Sequence, residues 1–321
     1  MRPTRPDPDS GALSGSTALL DPAPVPELEP AGTAVRDDPR PGPLRRLAAR
    51  LSSGAGRFIV LAVGIFWLFP TLGLAVASLR SAADNSATGW WTVLHAPSQL
   101  TLANYAALLG NARITGSLWN TVLIAVPSTV LVLGLGALGA YALAWLRFPG
   151  RDLVFVLAVG LTIVPVQVAV IPDAAIFRVL GIFGDIPAVI AFHVAFGLPF
   201  AVFLLRSYFL SLPGDLIEAA RADGAGEFTV FRRVALPFAW PALGSLAIFQ
   251  FLWVWNDLLV ALVFGFNNPP ITYAIREQTR AFSSNIDVIA PGALVSMAVP
   301  LILFFGFQRY FLRGMLDGAL K

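Results

Sequence analysis

Few residues in this chain could do chemistry, and their placement narrows the options further. It has no cysteine, so thiolate metal sites, thiol nucleophiles and disulfides are excluded. Its two histidines, His95 and His193, have no ligand cluster near them in the sequence, so no metal site is assigned. The single lysine is Lys321, the last residue, so no Gly-rich loop ending in Gly-Lys-Ser/Thr is present to cradle ATP phosphates. Asp257 is the one acidic residue well inside an apolar run. A charge is expensive in hydrocarbon, so Asp257 is either functional, or it caps a kink or pairs across helices. Beside it, Gln250, Trp253, Trp255 and Asn256 offer hydrogen bonds and ring faces able to line a path for a polar solute. Interhelical hydrogen bonding and interface anchoring are the structural alternatives for these residues, and for Gln167. A proton relay through His193 would need acidic partners, which its own apolar run lacks. No catalytic residue is assigned.

These residues must be positioned by apolar elements, and the composition is dominated by them. Hydrophobic residues make up 56% of the chain and charged residues 13%, with a mean hydropathy of +0.73, which describes a polytopic membrane protein. Six stretches approach the ~20 apolar residues a span needs, at about 58–79, 115–145, 153–172, 187–209, 241–265 and 289–312. The second is long enough to tilt or protrude, and its Gly134, Gly136, Gly139 and Ala140 permit close helix approach. Pro165 and Pro172 interrupt the third and Gly197-Leu198-Pro199 the fourth. Such breaks are tolerated where backbone faces protein or water. Residues 1–45 are rich in Pro, Gly, Ser and Asp without apolar periodicity, and read as a disordered cytoplasmic tail ahead of a membrane domain at 46–321. Among the outer segments, Leu100 to Tyr105 has the pattern of an amphipathic segment lying at the interface. With both termini inside, the inner loops hold 17 of the 22 basic residues. Arg80, Arg113, Arg178, Arg276 and Arg280 remain outside, a bias that fixes the orientation.

One long polar segment interrupts the spans in the second half, at 212–240. Pro213 and Asp215 suit a first helical turn, with Leu216, Ala219, Ala220 and Asp223 following at helical spacing. Gly224 can take the left-handed conformation that ends a helix. A second helix from about Glu227 carries Phe228, Phe231 and Val234 on one face, and Pro237 and Pro241 mark its end. The segment presents Glu218-Ala219-Ala220, three residues, Gly224, nine residues, then Val234-Ala235-Leu236-Pro237.

This spacing closely resembles the EAA loop of the membrane subunits of ATP-binding-cassette importers, a cytoplasmic helix–turn–helix that sits in a groove on a separate ATPase. Further stretches, in order along 58–321, resemble the carbohydrate-type permeases related to the smaller membrane subunit of maltose importers. They are Leu102-Ala103-Asn104-Tyr105, Asn120-Thr121, Ala140 to Ala144 with Arg147 to Arg151, Phe196 to Phe200, Trp255-Asn256-Asp257, and Gln308 to Ala319. His193 departs from the pattern, where an aromatic or small residue is expected.

The resemblance implies an all-α membrane protein with six transmembrane helices and a cytoplasmic EAA loop. It would sit in a bacterial inner membrane as the permease of an ATP-driven importer, for a sugar or oligosaccharide. Glu218, Ala219, Ala220, Asp223, Gly224, Leu236 and Pro237 would couple it to the ATPase. Implied partners are two ATPase subunits, a second homologous permease, an extracellular solute-binding protein, membrane lipid and the sugar, with no nucleic acid. No cofactor is bound by this chain on that reading, since ATP acts on the partner ATPase. A non-sugar importer permease is the nearest alternative. A self-sufficient secondary transporter would want paired intramembrane charges or inverted repeats, and a membrane enzyme a polar cluster at one interface; the sequence offers neither.

Overall fold

The computed structural model describes residues 54–278 and 285–319, with side chains as far as 307. The expected tail at 1–45 lies outside the described residues. The chain divides into two units, Met1–Ala62 and Val63–Lys321. The described part of the first is the opening of a helix, with Phe58, Ile59 and Leu61 exposed. The site discussed below lies wholly in the second. Among the described residues the regular elements are helices, and the one extended pairing is an isolated bridge between Arg80 and Leu100.

Four helices are long and apolar enough to cross a membrane: α1 (Gly54–Ser78), α4 (Ala112–Trp145), α7 (Ile186–Phe209) and the Ile286–Phe307 part of α13 (Ile286–Ala319). Two bent pairs complete the set of up to six. One is α5 (Arg151–Leu161) with α6 (Val166–Val179), bent by 106°; the other is α9 (Glu227–Phe238) with α10 (Trp240–Asn256), bent by 77°. Short helices fill the connections: α2 (Ala82–Ala87), α3 (Ala103–Gly110), α8 (Gly214–Ala222), α11 (Leu259–Phe264) and α12 (Ile271–Gln278).

The prolines do not all act where the sequence suggests. Pro165 breaks the third span, since it lacks an N–H and disfavours helical backbone at Val164. Pro172, also expected to interrupt, is carried inside α6, and Pro199 inside α7. The fifth span is split instead at Asp257, whose extended backbone (φ −67°, ψ 134°) separates α10 from α11.

Helix α4 is the spine. Its 34 residues at 1.5 Å each reach about 51 Å, well beyond a hydrocarbon core of about 30 Å, so one end stands clear of the membrane. It packs along α7, where Gly136 brings the backbones together: a Cβ there would lie 2.8 Å from that of Ala201. Gly134 has open space around it, so only one of this pair of glycines is needed for close approach. Around this contact, Val132, Ala137, Ala140, Tyr141, Ala201, Leu205 and Phe209 form a buried cluster that continues into the 212–240 segment through Ile217, Val230 and Ala235. A second cluster gathers Phe177, Phe192, Trp255 and Phe264.

The Leu100–Tyr105 stretch is docked on the end of α1. Asn104 Nδ2 donates to the carbonyls of Ser78 (2.9 Å) and Arg80 (2.7 Å), and the Tyr105 and Ser78 hydroxyls are 2.8 Å apart. Arg80, fully buried, donates to Gln99 Oε1, the Asp84 and Thr88 carbonyls, and the Thr88 hydroxyl. That many acceptors offset the cost of desolvating a guanidinium without any carboxylate.

Gly136→Val should lower the thermal midpoint of the purified protein, by overpacking worth about 1–3 kcal/mol, whereas Gly134→Ala, in open space within the helix, should hold or raise it. Equal midpoints for both variants, read by dye-monitored unfolding in detergent, would contradict this packing.

Candidate functional site

The 212–240 segment folds as two helices, α8 and α9, joined at Gly224. The junction follows from the sequence: Gly224 has φ +81°, its N–H bonds the Arg221 carbonyl (3.0 Å), and the Ala225 N–H bonds that of Ala220 (3.1 Å). That pair of bonds is a Schellman ending, which satisfies carbonyls that α8 would otherwise leave open. Within α9 a π-turn runs over Phe231–Ala235, with the Leu236 N–H on the Phe231 carbonyl. Pro237 follows it, and the N–H it lacks is the one that would have closed on residue 233. Pro237 therefore does not end the helix, as its type suggested. The helix continues to Phe238 and the chain bends at Ala239.

The π-turn sets which side chains face in. Val230, Phe231 and Ala235 are buried, and Val234 is half-buried. Phe228, expected on the same face as Phe231, is 66% exposed instead. With Leu216, at 41%, it leaves apolar surface on the outside of the loop, alongside exposed Glu218, Ala219, Ala222 and Asp223. Glu218 makes no ion pair among the described residues. Arg221, one turn on, reaches Glu227 instead, with Nε to Oε1 at 2.9 Å and Nη2 to Oε2 at 3.2 Å.

That pair joins α8 to α9, and both to α4. The Tyr141 hydroxyl donates to Glu227 Oε2 (2.7 Å), while its ring lies against Phe231 (5.2 Å) and Phe209 (6.1 Å). Arg221 Nη2 also donates to the Trp145 carbonyl in the last turn of α4 (3.2 Å). Two further arginines meet that helix end: Arg206 Nε on the Leu143 carbonyl (3.2 Å) and Arg151 Nη1 on that of Leu146 (3.4 Å). Guanidinium groups fit there because the last carbonyls of a helix lack intrahelical donors and carry the negative end of its dipole. The Arg221 hydrogen bond holds the Glu227 carboxyl below its usual range, with burial opposing and Tyr141 assisting. None of these arginine contacts was legible in the sequence, since donors and acceptors lie on separate elements.

The residues read as a possible substrate path fall into two groups. Gln250, Trp253 and Asp257 line the side of α10 that faces α7. A Cβ on Gly197 would lie 2.8 Å from the Gln250 amide, so Gln250 is wedged between α4 and α7, only 2% exposed. Its Nε2 has no hydrogen-bond partner among the described residues. One turn along α7 from Gly197, His193 stands with Nε2 3.8 Å from Asp257 Oδ2 and its ring 6.4 Å from that of Trp253. The acidic neighbour absent from the span of His193 is thus supplied by another helix. Asp257 also caps α11, accepting from the Ala261 N–H (3.1 Å). Asn256 faces away, its amide on the Leu252 carbonyl (2.8 Å). Trp255 is neither platform nor anchor: it is 1% exposed, stacked on Phe251, with its N–H on the Ser296 carbonyl. Gln167 is exposed at the start of α6. A groove of about 700 Å³, lined by Thr129, Leu133, Trp240, Leu243, Leu303 and Phe307 among others, touches none of the four path residues.

Among the described residues no three of His, Asp or Glu gather as a metal site. A multi-pass helical bundle with a rigid helix–turn–helix bound to its longest span belongs in class with the transporter permeases. The chain is a member of the family described as binding-protein-dependent transport system inner membrane component, which it matches over residues 47–317. It is 42% identical over 268 residues to the osmoprotective compounds uptake permease protein GgtD of Synechocystis, covering 82% of this chain and 90% of that one. It is also 42% identical over 233 residues to the alpha-glucoside transport system permease protein AglG of Rhizobium meliloti, covering 70% of this chain and 61% of that one. In fold it is similar to a chain of a bacterial ABC transporter involved in import of the acidic polysaccharide alginate, with TM-score 0.65 and 22% identity, over 85% of this chain and 99% of that one.

A ¹³C titration of the Glu227 carboxyl should give a midpoint below the ordinary 4.5. The contribution of the pair to stability is then present at neutral pH and lost only as pH falls through that lowered midpoint. Arg221→Gln should move the midpoint up; no movement would mean the pair does not form in solution.

Proposed function

We propose that this chain is one permease subunit of an ATP-driven importer, carrying a sugar, oligosaccharide or related polyhydroxy solute through a bacterial inner membrane. It does no bond chemistry and holds no cofactor; a separate ATPase supplies the energy. The carrying observation is the loop, with buried residues fixing it to α4 and Leu216, Phe228 and Glu218 left outward. Such a surface, apolar with exposed acids at Glu218 and Asp223 and packed against α4, suits a groove on the ATPase. Glu218, Ala219, Ala220, Asp223 and Gly224 form its first helix and turn, and Leu236 and Pro237 shape the exit towards α10. The relatives named for alpha-glucosides and osmoprotective compounds support the solute class.

On this reading two ATPase subunits close on ATP and a second, homologous permease completes the path. An extracellular binding protein delivers solute to the outer face, and both termini are cytoplasmic. Within the path, Trp253 gives a ring face, and Gln250 and Asp257 give hydrogen-bonding groups along α10, suited to solute hydroxyls. Asn256 is turned away from that seam, with its amide on the Leu252 carbonyl.

The test is Glu218→Arg and Gly224→Val in the assembled transporter, scored for membrane level, ATPase recovery and uptake. Stranding a docked charge costs about 3–5 kcal/mol. A side chain at the positive φ of Gly224 adds roughly 1–2 kcal/mol of strain. Normal membrane levels with weakened ATPase recovery and lost uptake are expected. Full uptake in both variants would reject the coupling role.

A further inference from the structure

We propose that Tyr141, Glu227 and Arg221 form a clamp that makes the ATPase-facing loop and the end of α4 a single moving body, so that loop displacement enters the membrane through α4. The inference rests on the coupling reading above and deepens it by naming the route of force.

The geometry gives three reasons. First, the Glu227 carboxylate is shared: one oxygen takes the Arg221 Nε, and the other takes both Arg221 Nη2 and the Tyr141 hydroxyl. A bidentate fork with a third donor fixes the carboxylate in direction as well as distance, which a lone surface ion pair does not. Second, Arg221 has a further donor on the Trp145 carbonyl, so α8 is tied to the backbone of α4 and not merely to a side chain. Third, the apolar contacts run the same way. Ile217 of α8, Val230 and Phe231 of α9, and Tyr141 of α4 are buried in one cluster. Close-packed interfaces of this kind transmit displacement as rigid bodies.

Ala242, Leu243 and Leu246 of α10 share that cluster, but the covalent route from the loop into α10 passes through a 77° bend at Ala239, beside a π-turn. A bend of that size gives the chain a place to flex, whereas the clamp fixes the loop to α4 by hydrogen bonds. Glu227 and Tyr141 therefore act as positioning residues, through α4, without touching solute or nucleotide.

The experiment uses the full transporter in proteoliposomes and reads solute moved per ATP hydrolysed. Tyr141→Phe keeps the ring packing and removes one hydroxyl, and Glu227→Gln keeps the shape and removes the charge. Each should lower the ratio about tenfold, the scale of a lost charge-assisted hydrogen bond, with the ATPase still co-purifying. Because the groups act as one unit, the double variant should fall no more than about twofold below either single variant. Arg221→Lys, which keeps charge and loses the fork, should fall as well. Arg113→Gln, which breaks the pair with Glu277 elsewhere in the fold, is the control and should leave the ratio unchanged. Ratios within about twofold of wild type in both single variants would overturn the clamp. Loss of ATPase from the complex would overturn it too, by making these residues part of the docking surface. Failure of the docking reading is separate: it shows as normal uptake in Glu218→Arg, whatever Tyr141→Phe does.

Discussion

A helix that leaves the membrane must satisfy its last carbonyls, and in this protein that constraint organises the working end of the molecule. Helix α4 ends with the Leu143, Trp145 and Leu146 carbonyls directed at arginines from three different elements: Arg206 of α7, Arg221 of α8 and Arg151 of α5. Each arginine meets the negative end of the helix dipole while fastening its own element in place. Arg206 adds a cation–π contact, 4.0 Å from the Phe155 ring centroid. Remove this convergence and three connections lose a common anchor.

From that anchor the remaining architecture follows. Gly136 lets α4 and α7 lie close, and the buried cluster along them extends without interruption into the loop. Farther along, the same two helices enclose Gln250, and the α7–α10 seam carries His193 and Asp257. Polar groups in a low-dielectric interior are costly unless paired, and the buried Gln250 Nε2 has no partner among the described residues. The break at Asp257 serves the same region, turning the chain where its carboxylate caps α11.

The sequence disclosed what is local and concealed what is not. The loop was legible because its signals lie within a dozen residues: an early acid, helical spacing and a glycine whose positive φ the structure confirms. Long apolar runs were equally plain. Proline was a poorer guide, since Pro165 broke a helix while Pro172 and Pro199 lie inside helices and Pro237 follows a π-turn. Contacts that join distant elements left no trace: Arg221 with Glu227 and Tyr141, His193 with Asp257, and the buried Arg80 with its ring of acceptors. In the sequence Arg221 stands three residues from Glu218, one helical turn away. The fold gave it a better-placed carboxylate across the turn.

The central claim is that the loop and α4 move together. Spin labels at Ala222, on the exposed side of the loop, and at Leu138, on the exposed side of α4, permit the direct test by pulsed electron–electron distance measurement in the assembled transporter. The distance distribution should be the same in the nucleotide-free and ATP-bound states, even as the transporter switches between them. A shift approaching one helical turn, about 5 Å, would show the loop sliding past α4 and would contradict the account.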